Sequence, residues 1–230
     1  MLTVRSKVCI YLYLPVPATS PAPSPRTASM KLYLSRNSPL NATLVDDLGQ
    51  ELYYIHTPWK LSGRTTIITK ADKELEAFVK FGGLLISDSK SDISPSDDLS
   101  TRGQPELAQI NWRCIGSSRL NFGGFERDIH EYLLRSGFMG WYRTFTAPDG
   151  RSYRWTMGFN YPELHTNDEH RRPIARFHRR RLSIPGICKG RAPHLEILPD
   201  GEHIADAIVM TFVYVEKRRR DCEKARSAGD

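Results

Sequence analysis

Ile204-Ala205-Asp206-Ala207-Ile208-Val209-Met210-Thr211-Phe212-Val213-Tyr214-Val215 stands near the end of the chain, and the charged run Glu216-Lys217-Arg218-Arg219-Arg220-Asp221 follows at once. Wound as a helix, this run is apolar on nearly every face and requires burial on all sides. A bilayer needs about 20 such residues, so the run is too short to span one. It would be roughly 18 Å long, about the length of a five- or six-residue strand. The expected arrangement is a helix enclosed by strands of matching height.

The sequence upstream supplies strands. Lys31–Arg36 alternates, with Leu32 and Leu34 on one face, and Ala42–Asp46 and Glu51–His56 flank the turn signal Asp47-Leu48-Gly49. Arg64–Lys70 is β-branched through its centre. Ala71–Phe81 fits a short helix or a strand, and Ser87–Glu106 reads as a long polar loop. Leu107–Cys114 alternates, Arg119–Phe122 lies between glycine turns, and Phe125–Arg135 reads as one short helix. Trp141–Thr146 and Arg151–Met157 form a hairpin turning at Pro148-Asp149-Gly150, with Tyr153, Trp155 and Met157 on the core face. Glu163–His165, Pro173–His178 and His194–Leu198 complete the set, and Pro199-Asp200-Gly201 leads into the helix with Asp200 placed to cap it. About ten to twelve short strands and one apolar helix predict a mainly β fold, a closed β-barrel around the C-terminal helix. A barrel filled in this way has no central cavity, which sends any binding to its rim, loops or outer wall.

Net charge is +7 over 230 residues, and it is unevenly placed. Residues 171–220 hold twelve Lys/Arg against five Asp/Glu, whereas residues 46–98 hold ten acids against six bases. Such polarity suits phosphate-bearing partners, although a solvated surface accounts for it equally well. Cys9, Cys114, Cys188 and Cys222 are widely spaced, which fits isolated reduced thiols better than a disulfide framework or a zinc site. Residues 1–30 read as a disordered Pro/Ser-rich extension: Pro15, Pro17, Pro21, Pro23 and Pro25 follow a short apolar run too weak for a secretory signal. A single domain is expected over 31–226, its helix covering about 201–226, in a cytoplasmic protein able to sit peripherally on a membrane.

Catalytic signatures are missing: Gly-x-Ser-x-Gly, phosphate-loop and dinucleotide patterns do not occur. His165, Asp168, Glu169 and His170 match no zinc spacing and read as a polar surface loop. Neither an enzyme, nor a metal, nor a cofactor is expected. The strongest surface feature is Arg171, Arg172, Arg176, Arg179, Arg180 and Arg181, all within eleven residues. Arginine suits bidentate phosphate contacts. Arg171, Arg172, Arg176, Arg179 and Arg181 are the candidate phosphate or lipid-headgroup residues, with a solvated hairpin as the competing explanation. Ser183 follows two arginines as a basophilic kinase site would require, and its phosphorylation would add about −1.5 to −2 charge there. Lys217–Arg220 are expected to hold the helix end in water and complement its dipole.

The motif Arg143-x-Phe145-x-x-x-Asp149-Gly150-x-x-Tyr153-x-Trp155, the close Leu195-Glu196-Ile197-Leu198-Pro199-Asp200-Gly201, and the opening Ser38-Pro39-Leu40-Asn41-Ala42-Thr43-Leu44 resemble an uncharacterised family of fungal (basidiomycete) proteins. The ending of strand, turn and apolar helix is also similar to the tubby-like superfamily, with the scramblases and LURP-one-related proteins. That resemblance implies a closed barrel of about a dozen strands around the helix, and phosphoinositide binding through basic residues of the outer wall. The expected function is non-enzymatic: binding of anionic phospholipid headgroups, or, as the alternative, a protein-interaction or structural role through surface loops. Nucleic acid is not an expected partner.

Overall fold

Alternating apolar residues build thirteen strands among the described residues. In chain order these are β1 (Met30–Leu34), β2 (Ala42–Val45), β3 (Glu51–His56), β4 (Arg64–Lys70), β5 (Glu106–Trp112), β6 (Arg119–Phe122), β7 (Phe125–Asp128), β8 (Leu134–Ser136), β9 (Tyr142–Thr146), β10 (Ser152–Thr156), β11 (Glu163–Thr166), β12 (Pro173–His178) and β13 (His194–Ile197). The computed structural model describes residues 28–59, 64–71, 106–113, 116–158, 161–183 and 190–229. The expected N-terminal extension up to residue 27, the loop at 87–105, most of Ala71–Phe81, and Cys9, Cys114 and Cys188 lie outside them.

One antiparallel sheet holds all thirteen strands, in the order β7-β6-β5-β4-β3-β2-β1-β13-β12-β11-β10-β9-β8. The inward residues of this curled sheet, among them Leu32, Leu44, Ile68, Ile110, Trp155, Phe177 and Leu195, are completely buried with the C-terminal helix. That helix runs Ala205–Ser227, and every residue from Ala207 to Glu216 is buried. Trp112 stacks on Tyr214 at 5.7 Å, and Phe177 meets Phe212 at 4.8 Å. The indole N–H of Trp155 donates to Thr211 Oγ1 at 2.9 Å, while that hydroxyl donates to the Ala207 carbonyl at 2.7 Å. Thr211→Val keeps the shape but leaves a buried indole N–H without an acceptor. Urea denaturation should show a loss of about 1–3 kcal/mol, and an unchanged midpoint would contradict this pairing.

The expected closed tubby-like barrel is not formed. Among the described residues β7 pairs only with β6 and β8 only with β9, so their sheet has two edges. Phe125–Arg135 is not one helix but β7, a single helical turn Ile129–Tyr132, and β8. Asp128 caps that turn by accepting from the His130 N–H at 2.8 Å. Ile129 in that turn and Leu133 just after it are both fully buried in the core.

The entry to the C-terminal helix also departs from expectation. Residues Pro199–Ile204 form a 3-10 turn, and Asp200 provides no side-chain cap. Gly201 is required there, since a Cβ would lie 2.7 Å from Ile174 Cγ2 and 3.1 Å from the Ile174 carbonyl. Asp206, in the first helical turn, accepts from the Tyr53 hydroxyl at 2.6 Å and from Lys70 Nζ at 2.9 Å. At the other end, Lys217–Arg220 do not simply face water. Arg219 is 4% exposed and clamps the fully buried Glu216 through two hydrogen bonds of 2.7 and 3.0 Å. Lys217 lies over the Trp112 ring at 4.7 Å.

Candidate anion-binding surface

Arg171 and Arg181 lie beyond opposite ends of β12, whose six residues, at about 3.3 Å each, are roughly 20 Å long. One headgroup cannot touch both. Three of the intervening arginines are already paired. Arg172 lies 3.6 Å from Asp200, Arg176 pairs with Glu163 at 2.7 Å, and Arg179 grips both carboxylate oxygens of Glu223 at 3.0 and 2.9 Å. The run of arginines, compact in sequence, is therefore divided in space, and its central members are partly neutralised. Arg179 and Arg219 together outweigh the cost of burial and hold the Glu223 carboxyl below its usual range.

The far end is different. Arg180 and Arg181 are exposed and form no ion pair with a described carboxylate. Arg181 and Arg191 exchange backbone hydrogen bonds of 3.0 and 2.9 Å, which sets two exposed arginines directly opposite one another. Like charges so placed repel, and an anion between them would relieve that. Arg191 also donates to His178 Nδ1 at 3.1 Å, and His178 Nε2 is 2.9 Å from Glu196 Oε2. The His178 ring stacks on His194 at 4.5 Å, with Tyr33 on the other side of His194 at 5.2 Å. Burial pushes the His194 pKa down, with the neighbouring His178 and Arg191 acting in the same direction. Ser183 is exposed beside this pair, and its backbone N–H nitrogen would be 3.2 Å from a Cβ on Gly190. Arg191 is the residue missed in sequence: it lies ten positions after Arg181, and only strand pairing joins them.

The near end opens on a polar cleft of about 290 Å³ lined by Arg151, Tyr153, Thr166, Arg172, Asp200 and His203. Asp149 organises it, accepting from the Tyr153 hydroxyl at 2.6 Å, from His203 Nε2 at 2.9 Å and from the Arg151 N–H at 3.0 Å. Burial alone would raise the Asp149 pKa, but these bonds outweigh it and bring it down. The Tyr153 hydroxyl is pushed up to about 12 by burial and by its bond to Asp149. The network ties the β9–β10 turn to the start of the C-terminal helix. Arg171, at φ +44°, and the His170 backbone both donate to Asp168 Oδ1, at 2.9 and 3.0 Å. Asp168 is thus occupied in shaping a turn, and no group of three metal-ligating side chains occurs among the described residues. No described helix is long and apolar enough to cross a membrane.

Residues 37–221 match the Family of unknown function DUF6593. The chain belongs to that family. DUF6593 agrees with the resemblance to an uncharacterised family, but the match supports neither a fungal source nor a tubby-like assignment. No curated protein matches the chain. An X-ray structure of a protein from Arabidopsis thaliana aligns with a TM-score of 0.37 and 10% identity, covering 80% of this chain and 90% of that one. At that level of similarity, the architecture of this DUF6593 protein rests on its own strand order.

Proposed function

We propose that this DUF6593 protein is a non-catalytic binding module that takes the phosphate of an anionic phospholipid headgroup on Arg180, Arg181 and Arg191, sitting peripherally on the membrane. The observation that carries this reading is the facing pair Arg181 and Arg191, both exposed and without a described carboxylate partner. Arginine forks meet phosphate oxygens in bidentate fashion. Leu182, 68% exposed and flanked by these arginines, supplies an apolar contact of the kind that interfacial segments press into the lipid boundary. Arg171, Arg172, Arg176 and Arg179 drop out as primary ligands, the first because it lies at the far end and the others because of their ion pairs. Ser183 phosphorylation would oppose binding by adding about −1.5 to −2 charge beside the clamp.

Sedimentation with vesicles containing a phosphoinositide, against pure phosphatidylcholine vesicles, tests this directly. Each basic residue at an anionic surface is worth about 1 kcal/mol, so Arg181→Glu with Arg191→Glu should weaken binding by more than about tenfold. Added salt should weaken it too, since exposed charges are screened within about 8–10 Å. Arg171→Glu should bind as wild type does. A wild-type protein that ignores the vesicles at low salt, or a double variant that binds them fully, would sink the proposal. A protein-interaction role is the second reading, favoured by two sheet edges that are unpaired among the described residues and by Phe138, which is 84% exposed beside β8.

A further inference from the structure

The open seam leaves a cavity of about 400 Å³ between the β6–β7 hairpin and the β9–β10 turn. Leu120, Phe122, Phe125 and Ala147 make most of its wall apolar. Register explains who lines it. Leu120 faces Arg127 and Phe122 faces Phe125 across the hairpin, and directly opposed residues share a sheet face. Leu120 is buried in the core, so Arg127 and Phe125 are turned to the same inner side. The Arg127 guanidinium lies 5.7 Å from the centre of the Phe125 ring and has no carboxylate partner among the described residues. Its neighbour Glu126 is taken by Arg119 at 3.1 Å.

Tyr132 forms part of the same lining, its ring 6.0 Å from that of Phe145. Its hydroxyl is buried away from the open space and has no hydrogen-bond partner among the described residues, so Tyr132 adds its ring to the wall. One wall of hydrocarbon and one cation without a described carboxylate partner thus meet in a space of the size that small ligands fill, about 300–1,000 Å³. An apolar ligand alone would leave the guanidinium unanswered, and a small inorganic anion would leave the aromatic wall wet.

We infer that this cavity is a binding site for a free, single-chain fatty acid, with its carboxylate on Arg127 and its chain on Leu120, Phe122 and Phe125. The half-open mouth, where Phe125 is 66% exposed, admits such a ligand without unfolding the edge strand. The site lies on the inner face at the seam and does not depend on the Arg181–Arg191 clamp.

Isothermal titration of the full chain with sodium decanoate below its micelle concentration, and in parallel with 1-decanol, tests it. A charged hydrogen bond is worth about 1.5–3 kcal/mol, so decanoate should bind at one saturable site and decanol at least about tenfold more weakly. Arg127→Gln should bring decanoate down to the affinity of decanol. That change leaves the apolar core unaltered, and a wild-type melting curve would verify the fold. The chain carrying Arg181→Glu and Arg191→Glu should bind decanoate unchanged, which separates this site from headgroup binding. Absence of saturable binding, or decanoate binding by Arg127→Gln as tight as wild type, would overturn the inference.

Discussion

Replacing Phe212 with alanine should lower the unfolding free energy by about 3–5 kcal/mol, the range for a fully buried phenylalanine. Phe212 has no exposed surface, and its ring meets Phe177 at 4.8 Å and Trp155 at 6.5 Å. Those two rings come from β12 and β10, so the truncation opens a void between the helix and two strands at once. The surrounding sheet is held by ladders on both sides and cannot collapse far into that space, which favours the upper part of the range. Equilibrium denaturation in urea measures the effect. A loss below about 1 kcal/mol, the scale of a surface substitution, would mean the sheet does not enclose the helix.

The second large effect is expected at Glu216. Its carboxylate is completely buried and receives two bonds from Arg219 and one of 2.6 Å from Arg220. Removing one member of a buried ion pair strands the other charge, which costs about 3–5 kcal/mol. Glu216→Ala should therefore destabilise the protein by about 3 kcal/mol or more, because Arg219 is 4% exposed and keeps only its bond to Glu223 at 3.0 Å. A joint replacement of Glu216 and Arg219 by leucine and methionine should recover most of the loss, since paired charges of this kind exchange for apolar packing at little cost. If Glu216→Ala melts as the wild type does, water reaches the pair and the helix end is not sealed.

These two residues show how far the primary structure could be read. Phe212 sits in a run with no polar face, and that property alone demanded enclosure; the burial of Ala207–Val215 follows from it. Glu216 heads the charged run, whose next members, Lys217–Arg220, were expected to hold the helix end in water. Its burial depends on where the sheet ends relative to the helix, a length match that no local pattern records. The hairpin motif was similarly legible, because Asp149-Gly150 and the alternation of Tyr153 and Trp155 act within a few residues of one another.

The candidate sites were less legible for the same reason. Six arginines fall within eleven residues, and strand alternation already divides them between two faces. Strand rise separates the ends of the run, and partners distant in sequence, Asp200, Glu163 and Glu223, take three of its members. Arg191 joined the remaining pair only through backbone hydrogen bonds to Arg181. Arg127 and Tyr132 showed no signal at all, because Phe125–Arg135 was expected to be helical throughout, and a helix would not have set Arg127 opposite Leu120.

By itself the sequence determined the mainly β composition, the apolar helix and most strand positions, because alternation, β-branching and turn chemistry are local and each acts within about ten residues. Tertiary structure alone decided whether the sheet closed. Among the described residues β7 and β8 stay unpaired with one another, and Ile129 and Leu133 between them are buried. That outcome depends on how the two ends of a thirteen-strand order come to lie, which no local pattern records.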